Sequence, residues 1–184
     1  MKTEALATVA TAFPLLAGEP VAGQLHKIPS NQTSPTTIPN NPPAIIIMKT
    51  LFTSQASSLG GRSGSISSPD GLLNITLGNP LKPGEEKLGP NPELLFAAAY
   101  AACYHGALLN AAKRLDTEMQ GSTVRALVSL LQDDQDGYRL SVELHAQIPG
   151  VNRVMAQNIM TAAHETCPYS KALRGDAAVT LVVD

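Results

Sequence analysis

ELLFAAAYAACYHGALLNAAKR, residues 93–114, carries no Asp, Glu, Lys or Arg between Glu93 and Lys113, and the run is too long for one strand. Just before it, Asn91 supplies a capping side chain, Pro92 suits the first helical position, and Glu93 complements the positive end of the helix dipole. A long helix is therefore expected, apolar on nearly every side and so buried. The rest of the fold has to be arranged around it. A membrane span has similar length, but this run is Ala-rich and carries Tyr100, Tyr104, His105 and Asn110, which suits burial inside protein and no membrane contact. In its middle sits a thiol, Cys103.

On the N-terminal side, KTLFTSQASS (49–58), GSISS (64–68) and LLNITLG (72–78) alternate like strands and are separated by the turn signals Gly60-Gly61 and Pro69-Asp70-Gly71. A Pro/Gly-rich loop then leads to the helix. Beyond it, STVRALVSLLQ and YRLSVELHAQI flank DDQDG as a hairpin, and a second helix places Val151, Met155, Ile159 and Ala162 on one face before Pro168 stops it. AAVTLVV closes the chain as a strand. The order β-β-β-α-β-β-α-β predicts an α+β fold with antiparallel sheets and long buried helices.

Composition narrows the function classes. Of 184 residues, 43% are hydrophobic and 15% charged, as in a globular protein with a core. The net charge is −2, with no basic run or basic helix face, which argues against nucleic acid or anionic lipid as partner. Two cysteines do not make a disulfide framework and fit a reducing compartment, so a cytoplasmic location is expected.

Residues 1–47 differ from the rest. They hold seven of the fourteen prolines, one aromatic residue and four charged side chains, so a disordered extension is expected, followed by a domain over residues 48–184. Lys2 and a modest apolar stretch outline a secretory signal, but Glu4, the threonines and Pro14 spoil it, and the lack of Arg argues against a mitochondrial transit peptide. Export or organellar import is the alternative if this segment is a targeting sequence. Met48 opens a second MKT and is an alternative start.

Three readings of Cys103 and Cys167 are open. Each is a small apolar residue at its simplest. With His105 and His164 they could form a zinc set, but positions i and i+2 of a helix point about 200° apart and do not aim at one ion. As a redox pair, they need a thiolate, and a thiolate needs a nearby cation because an ordinary thiol is mostly protonated at neutral pH. Cys103 lies too far along its helix for the N-terminus to help. Arg62, on the glycine-flanked turn GGRSG, offers a cation, and Glu93 could hold that guanidinium bidentately. Arg62 as a solvated turn residue and Glu93 as a first-turn acid are the plainer readings.

At these residues the sequence resembles the OsmC/Ohr peroxidase family, and specifically the organic hydroperoxide resistance proteins. The resemblance rests on GGRSG, NPELLFAAAYAACYHGAL and CPYSKALRGDAAVTLVV, and it runs from Met48 to the C-terminus. It implies an OsmC-like fold in an intertwined homodimer, with two active sites at the subunit interface and no metal or bound cofactor. Cys103 would be the peroxidatic thiolate, Cys167 the resolving thiol that closes a disulfide with it, and Arg62 and Glu93 the activating pair. Leu95, Phe96, Tyr100 and the Leu81 to Leu88 loop would wall a site favouring alkyl or fatty-acid hydroperoxides. A dithiol, on a lipoylated protein, would be the reductant. An OsmC-type peroxidase of broader specificity, a zinc-binding module and a domain with one structural disulfide are the alternatives.

Overall fold

The structure is a computed structural model and describes residues 48–135 and 137–184. The expectations for residues 1–47 lie outside the described residues. Thr50–Asp184 forms one compact unit, and every strand and helix of the described residues lies within it.

Three short strands, β1 (Ser57–Leu59), β2 (Ser65–Ser67) and β3 (Asn74–Thr76), form an antiparallel meander. The first is shorter than expected. Leu51 and Phe52 are exposed, and the segment before Ser57 takes no strand partner among the described residues, so its alternation has nothing to pair with. Helix α1 (Pro92–Arg114) starts as its local signals dictate: Asn91 Oδ1 accepts a hydrogen bond from the Leu94 N–H at 2.7 Å, and Pro92 occupies the first turn.

The hairpin of β4 (Thr123–Asp133) and β5 (Gly137–Gln147) is antiparallel, with Val128 opposite Val142. Two helices come next, α2 (Arg153–Thr166) and α3 (Pro168–Leu173), and then β6 (Ala178–Val183). Here the sheet departs from expectation, because β6 pairs parallel to β5, with Leu144 beside Leu181. Parallel pairing requires the chain to cross back to the starting end of its neighbour, and α2 with α3 is that crossover. The third helix is also unanticipated. Pro168 ends α2 as expected but simultaneously serves as the first residue of α3, since its fixed φ suits a helix start.

The core sits between α1, α2 and the β4–β5–β6 sheet. Tyr100, Tyr104, Leu108, Ala111 and Ala112 form the buried stripe of α1, spaced at three and four residues. On α2 the fully buried positions are Ala156, Ile159, Met160 and Ala163, a stripe rotated from the expected one; Val151, Met155 and Ala162 are half-buried at its flank. Val142, Leu144 and Ala146 of β5 complete the packing. By length and composition α1 would also cross a membrane, yet its aromatic stripe is spent on this core, and Tyr104 Oη donates to the Met160 carbonyl at 2.7 Å.

Leu108 is fully buried where α1 meets the core, so Leu108→Ala should lower the unfolding free energy by about 3 kcal/mol through lost burial and an unfilled cavity. Equilibrium denaturation of the purified protein measures this, with an unchanged m-value expected.

Candidate active site

Glycines build the turn that carries Arg62. Gly60 and Gly61 have φ of +78° and +60°, conformations that side chains rarely adopt. At Gly64 the constraint is steric, since a Cβ would lie 1.8 Å from the Leu59 carbonyl oxygen. The turn aims Arg62 at the start of α1. There its guanidinium grips Glu93 with both arms, Nη1 to Oε2 at 3.0 Å and Nη2 to Oε1 at 2.5 Å. This hydrogen-bonded pairing holds the Glu93 carboxyl below the usual carboxylate range and pushes the Arg62 pKa up, although Arg62 remains substantially exposed. The pair is thus intact at neutral pH and is lost as acid titrates Glu93 through its lowered pKa. The cavity beside it, about 160 Å³, is lined by Pro80, Leu81, Asn91, Val128 and Leu130 as well as the pair itself.

The two cysteines meet at the other end of the core. Cys167 caps the C-terminus of α2 and is completely buried, and its Sγ donates toward Cys103 Sγ across 3.6 Å. Both are free thiols. Cys103 is half-buried and opens onto a groove of about 470 Å³ shared with Gly106, Ala107, Asn110, Arg114, Thr166 and Pro168. Burial pushes the Cys103 thiol up, and the neighbouring Cys167 thiol adds to this; the backbone N–H of Tyr169 works in the opposite direction.

The sequence reading missed that last donor. Tyr169 lies in the first turn of α3, whose N–H groups lack intrahelical partners, and the Cys-Pro junction was the signal available for it. It also missed Ser170. This buried hydroxyl lies 2.8 Å from Tyr100 Oη and so ties α3 to α1 beneath the thiols.

The expected site residues divide into two groups. Arg62 and Glu93 are together, and Cys103 and Cys167 are together, but ten residues of helix hold Glu93 about 15 Å along the axis from Cys103, on a different azimuth. Within one chain the guanidinium held by Glu93 does not reach the thiol. Of the expected wall, Leu81 lines the Arg62 cavity. Leu95 is half-buried, Phe96 stacks on Tyr169 with centroids 5.9 Å apart, and Tyr100 is fully buried below the thiols; none of these three lines either cavity. The zinc set is not assembled: His105 Nε2 is 2.8 Å from Ser122 Oγ, and among the described residues no group of three His, Cys, Asp or Glu side chains is placed to hold a metal.

Ser170→Ala should leave the buried Tyr100 hydroxyl unpaired and cost about 1–3 kcal/mol, whereas adding Tyr100→Phe should restore much of that loss, because removing both partners leaves no orphan. Thermal unfolding of the two single variants and the double variant checks the sign of the coupling.

Comparison with known proteins gives this arrangement a family. A family model described as OsmC-like protein matches residues 84–182. The organic hydroperoxide resistance protein OhrB of Bacillus subtilis is 44% identical over 132 residues, covering 71% of this chain and 96% of that protein. The organic hydroperoxide resistance protein of Xanthomonas axonopodis pv. citri is 37% identical over 137 residues, covering 73% and 96%. Among solved structures, an organic hydroperoxide resistance protein from Legionella pneumophila superposes with a TM-score of 0.69 at 40% identity, covering 74% of this chain and 99% of that one. The Bacillus subtilis OhrB structure gives 0.69 at 42% identity, covering 73% and 100%. The chain belongs to the OsmC-like family, and within it to the organic hydroperoxide resistance proteins.

Proposed function

We propose that residues 48–184 form a thiol-dependent peroxidase that reduces organic hydroperoxides to alcohols. The observation that carries this reading is the approach of the Cys103 and Cys167 sulfurs to 3.6 Å, one partly open to a groove and the other sealed in the core. The chemistry follows from that difference in access. The Cys103 thiolate attacks the distal oxygen of ROOH; the O–O bond breaks, RO⁻ leaves and is protonated to the alcohol, and Cys103 becomes a sulfenic acid. Cys167 sulfur then attacks the sulfenic sulfur, its proton leaves with the hydroxyl as water, and a Cys103–Cys167 disulfide results. A dithiol, such as the dihydrolipoyl group of a lipoylated protein, reduces it by exchange. Two free thiols of this kind suit the reducing cytoplasm.

The thiolate requires a cation that one chain does not bring to Cys103. We infer that a second copy supplies it, Arg62 of one subunit facing Cys103 of the other and held there by Glu93. Such a guanidinium would lower the thiol pKa, which burial alone raises, and would stabilise the charge developing on the peroxide oxygens. Fully ionising an ordinary thiol at neutral pH accounts for only about 2 kcal/mol of barrier, so positioning and transition-state electrostatics must contribute the rest.

Peroxide consumption by the purified protein with a dithiol, cumene hydroperoxide against hydrogen peroxide, tests the function directly. Cys103→Ser should abolish turnover. Cys167→Ser should reduce one equivalent of peroxide and then accumulate sulfinic or sulfonic acid at Cys103, visible by mass spectrometry. Failure of either outcome reverses the assigned roles.

The composite site has its own test. Cys103→Ser and Arg62→Ala homodimers should each be nearly inactive, but co-refolding the two should yield heterodimers with one intact site and recover up to about a quarter of wild-type activity, half the molecules carrying one of two sites. No recovery on mixing would mean that Arg62 serves its own chain.

A further inference from the structure

The turn that carries Arg62 has little of its own to hold it. Gly61–Ser63 is a single 3₁₀ turn, closed by the Gly64 N–H to the Gly61 carbonyl at 3.2 Å and entered through two glycines of positive φ. Such glycines leave a turn free to take other shapes. The chain is fixed on either side, since Leu59 pairs with Ser65 across β1 and β2, and Leu77 N–H reaches the Gly64 carbonyl at 2.8 Å. What lies between needs a hold from elsewhere.

The loop after β3 supplies one. Its Pro80 and Leu81 share the cavity beside Arg62. Asn79 Nδ2 donates to Ser63 Oγ at 3.3 Å, while the Asn79 backbone N–H donates to the Glu85 carbonyl at 3.1 Å. Glu85 is the one residue of 80–88 that is not exposed. Lys82 first and the Ser63 hydroxyl second hold its carboxyl below the usual carboxylate range. Its Oε2 is buried and meets no well-aligned donor among the described residues, which is unfavourable for the loop taken by itself. Glu86 and Lys87, beside it, are exposed. Ser63 is the link to Arg62, its neighbour in sequence, because a hydroxyl can accept from Asn79 and turn its one proton to Glu85.

We propose that Glu85 is a positioning residue for Arg62, fixing the Gly60–Gly64 turn, through Ser63, in the conformation from which Arg62 grips Glu93. The inference rests on the peroxidase reading, in which Arg62 activates the Cys103 thiolate, and adds to it a residue that makes no hydrogen bond or ion pair with Arg62 itself. Glu85 acts through the placement of backbone. That placement matters because a bidentate grip needs both arms of the guanidinium aligned at once, and a tilt of the turn that unseats one arm also misdirects the edge meant for sulfur.

The test uses the full chain and two readouts, kcat/KM for cumene hydroperoxide with a dithiol and the pH dependence of Cys103 alkylation by iodoacetamide. Glu85→Ala and Ser63→Ala should each lower kcat/KM about fivefold, the weight of one ordinary hydrogen bond, and move Cys103 ionisation to higher pH. Ser63→Thr, which keeps the hydroxyl, should restore both, and Glu86→Ala should change neither. In an Arg62→Ala background, adding Glu85→Ala should slow alkylation no further, because the guanidinium that Glu85 positions is already gone. A structural role unconnected with Arg62 would slow alkylation equally in both backgrounds. That result, or wild-type values in Glu85→Ala and Ser63→Ala, overturns the proposal. A second arm depends on neither turnover nor thiol: amide hydrogen exchange at Gly61–Gly64 should speed up in Glu85→Ala while β4 and β5 stay as protected as in the wild type. Unchanged exchange in the turn also overturns it. If the wild-type protein consumes no hydroperoxide, the peroxidase reading falls, and the exchange arm alone decides whether Glu85 holds the turn.

Discussion

The rigid spacing of one helix governs this molecule. Glu93 and Cys103 share α1, and an α-helix does not let two positions ten residues apart reach a common atom. Arg62 is committed to Glu93 by two hydrogen bonds, so the cation of one chain stays at the start of the helix while the thiol lies at its middle. The thiol is left where burial favours its protonated form. The proposed activation by a neighbouring subunit answers the same geometry that makes the single chain look incomplete, and it fits the exposure of Leu51, Phe52 and Leu94.

Two polar contacts inside the core set the position of Cys167. Tyr104 reaches the Met160 carbonyl on α2, and Tyr100 meets Ser170 on α3, so the junction between those helices is fixed from below at two points. Cys167 sits at that junction. Buried hydroxyl partners of this kind contribute modest net stability but strong geometric preference, because any shift leaves an oxygen unsatisfied in the core.

Local signals made part of this arrangement legible in the sequence. Asn91, Pro92 and Glu93 act within one turn, so the start of α1 could be read residue by residue, as could the β4–β5 hairpin from its alternation and turn. GGRSG, the Glu at the helix start and the two cysteines could likewise be picked out, and the fold joins them pairwise, Arg62 to Glu93 and Cys167 to Cys103. What escaped depended on tertiary packing. The parallel docking of β6 is decided by where α2 and α3 return the chain, and alternation is the same for parallel and antiparallel neighbours. The stripe on α2 lay nearer Ala156 and Ala163 than the larger Val151 and Met155 suggested, since small residues admit the close approach of α1. Tyr100 was read as a wall and is a strut, because sequence gives its helical face but not which side of that face the cavity occupies.

The parallel pairing of β5 with β6 also bears on how the protein comes into being. Neighbouring strands in a hairpin can join early, but β6 must wait until both intervening helices have folded back, and such non-local closure is entropically costly and slow. Cys103 and Cys167, separated by 64 residues, come together only when α2, part of that crossover, packs back against α1. A nascent or partly unfolded chain thus carries Cys103 without its companion sulfur. Until α2 has packed onto α1 and brought Cys167 alongside, an oxidised Cys103 would find no second thiol of its own chain to pair with.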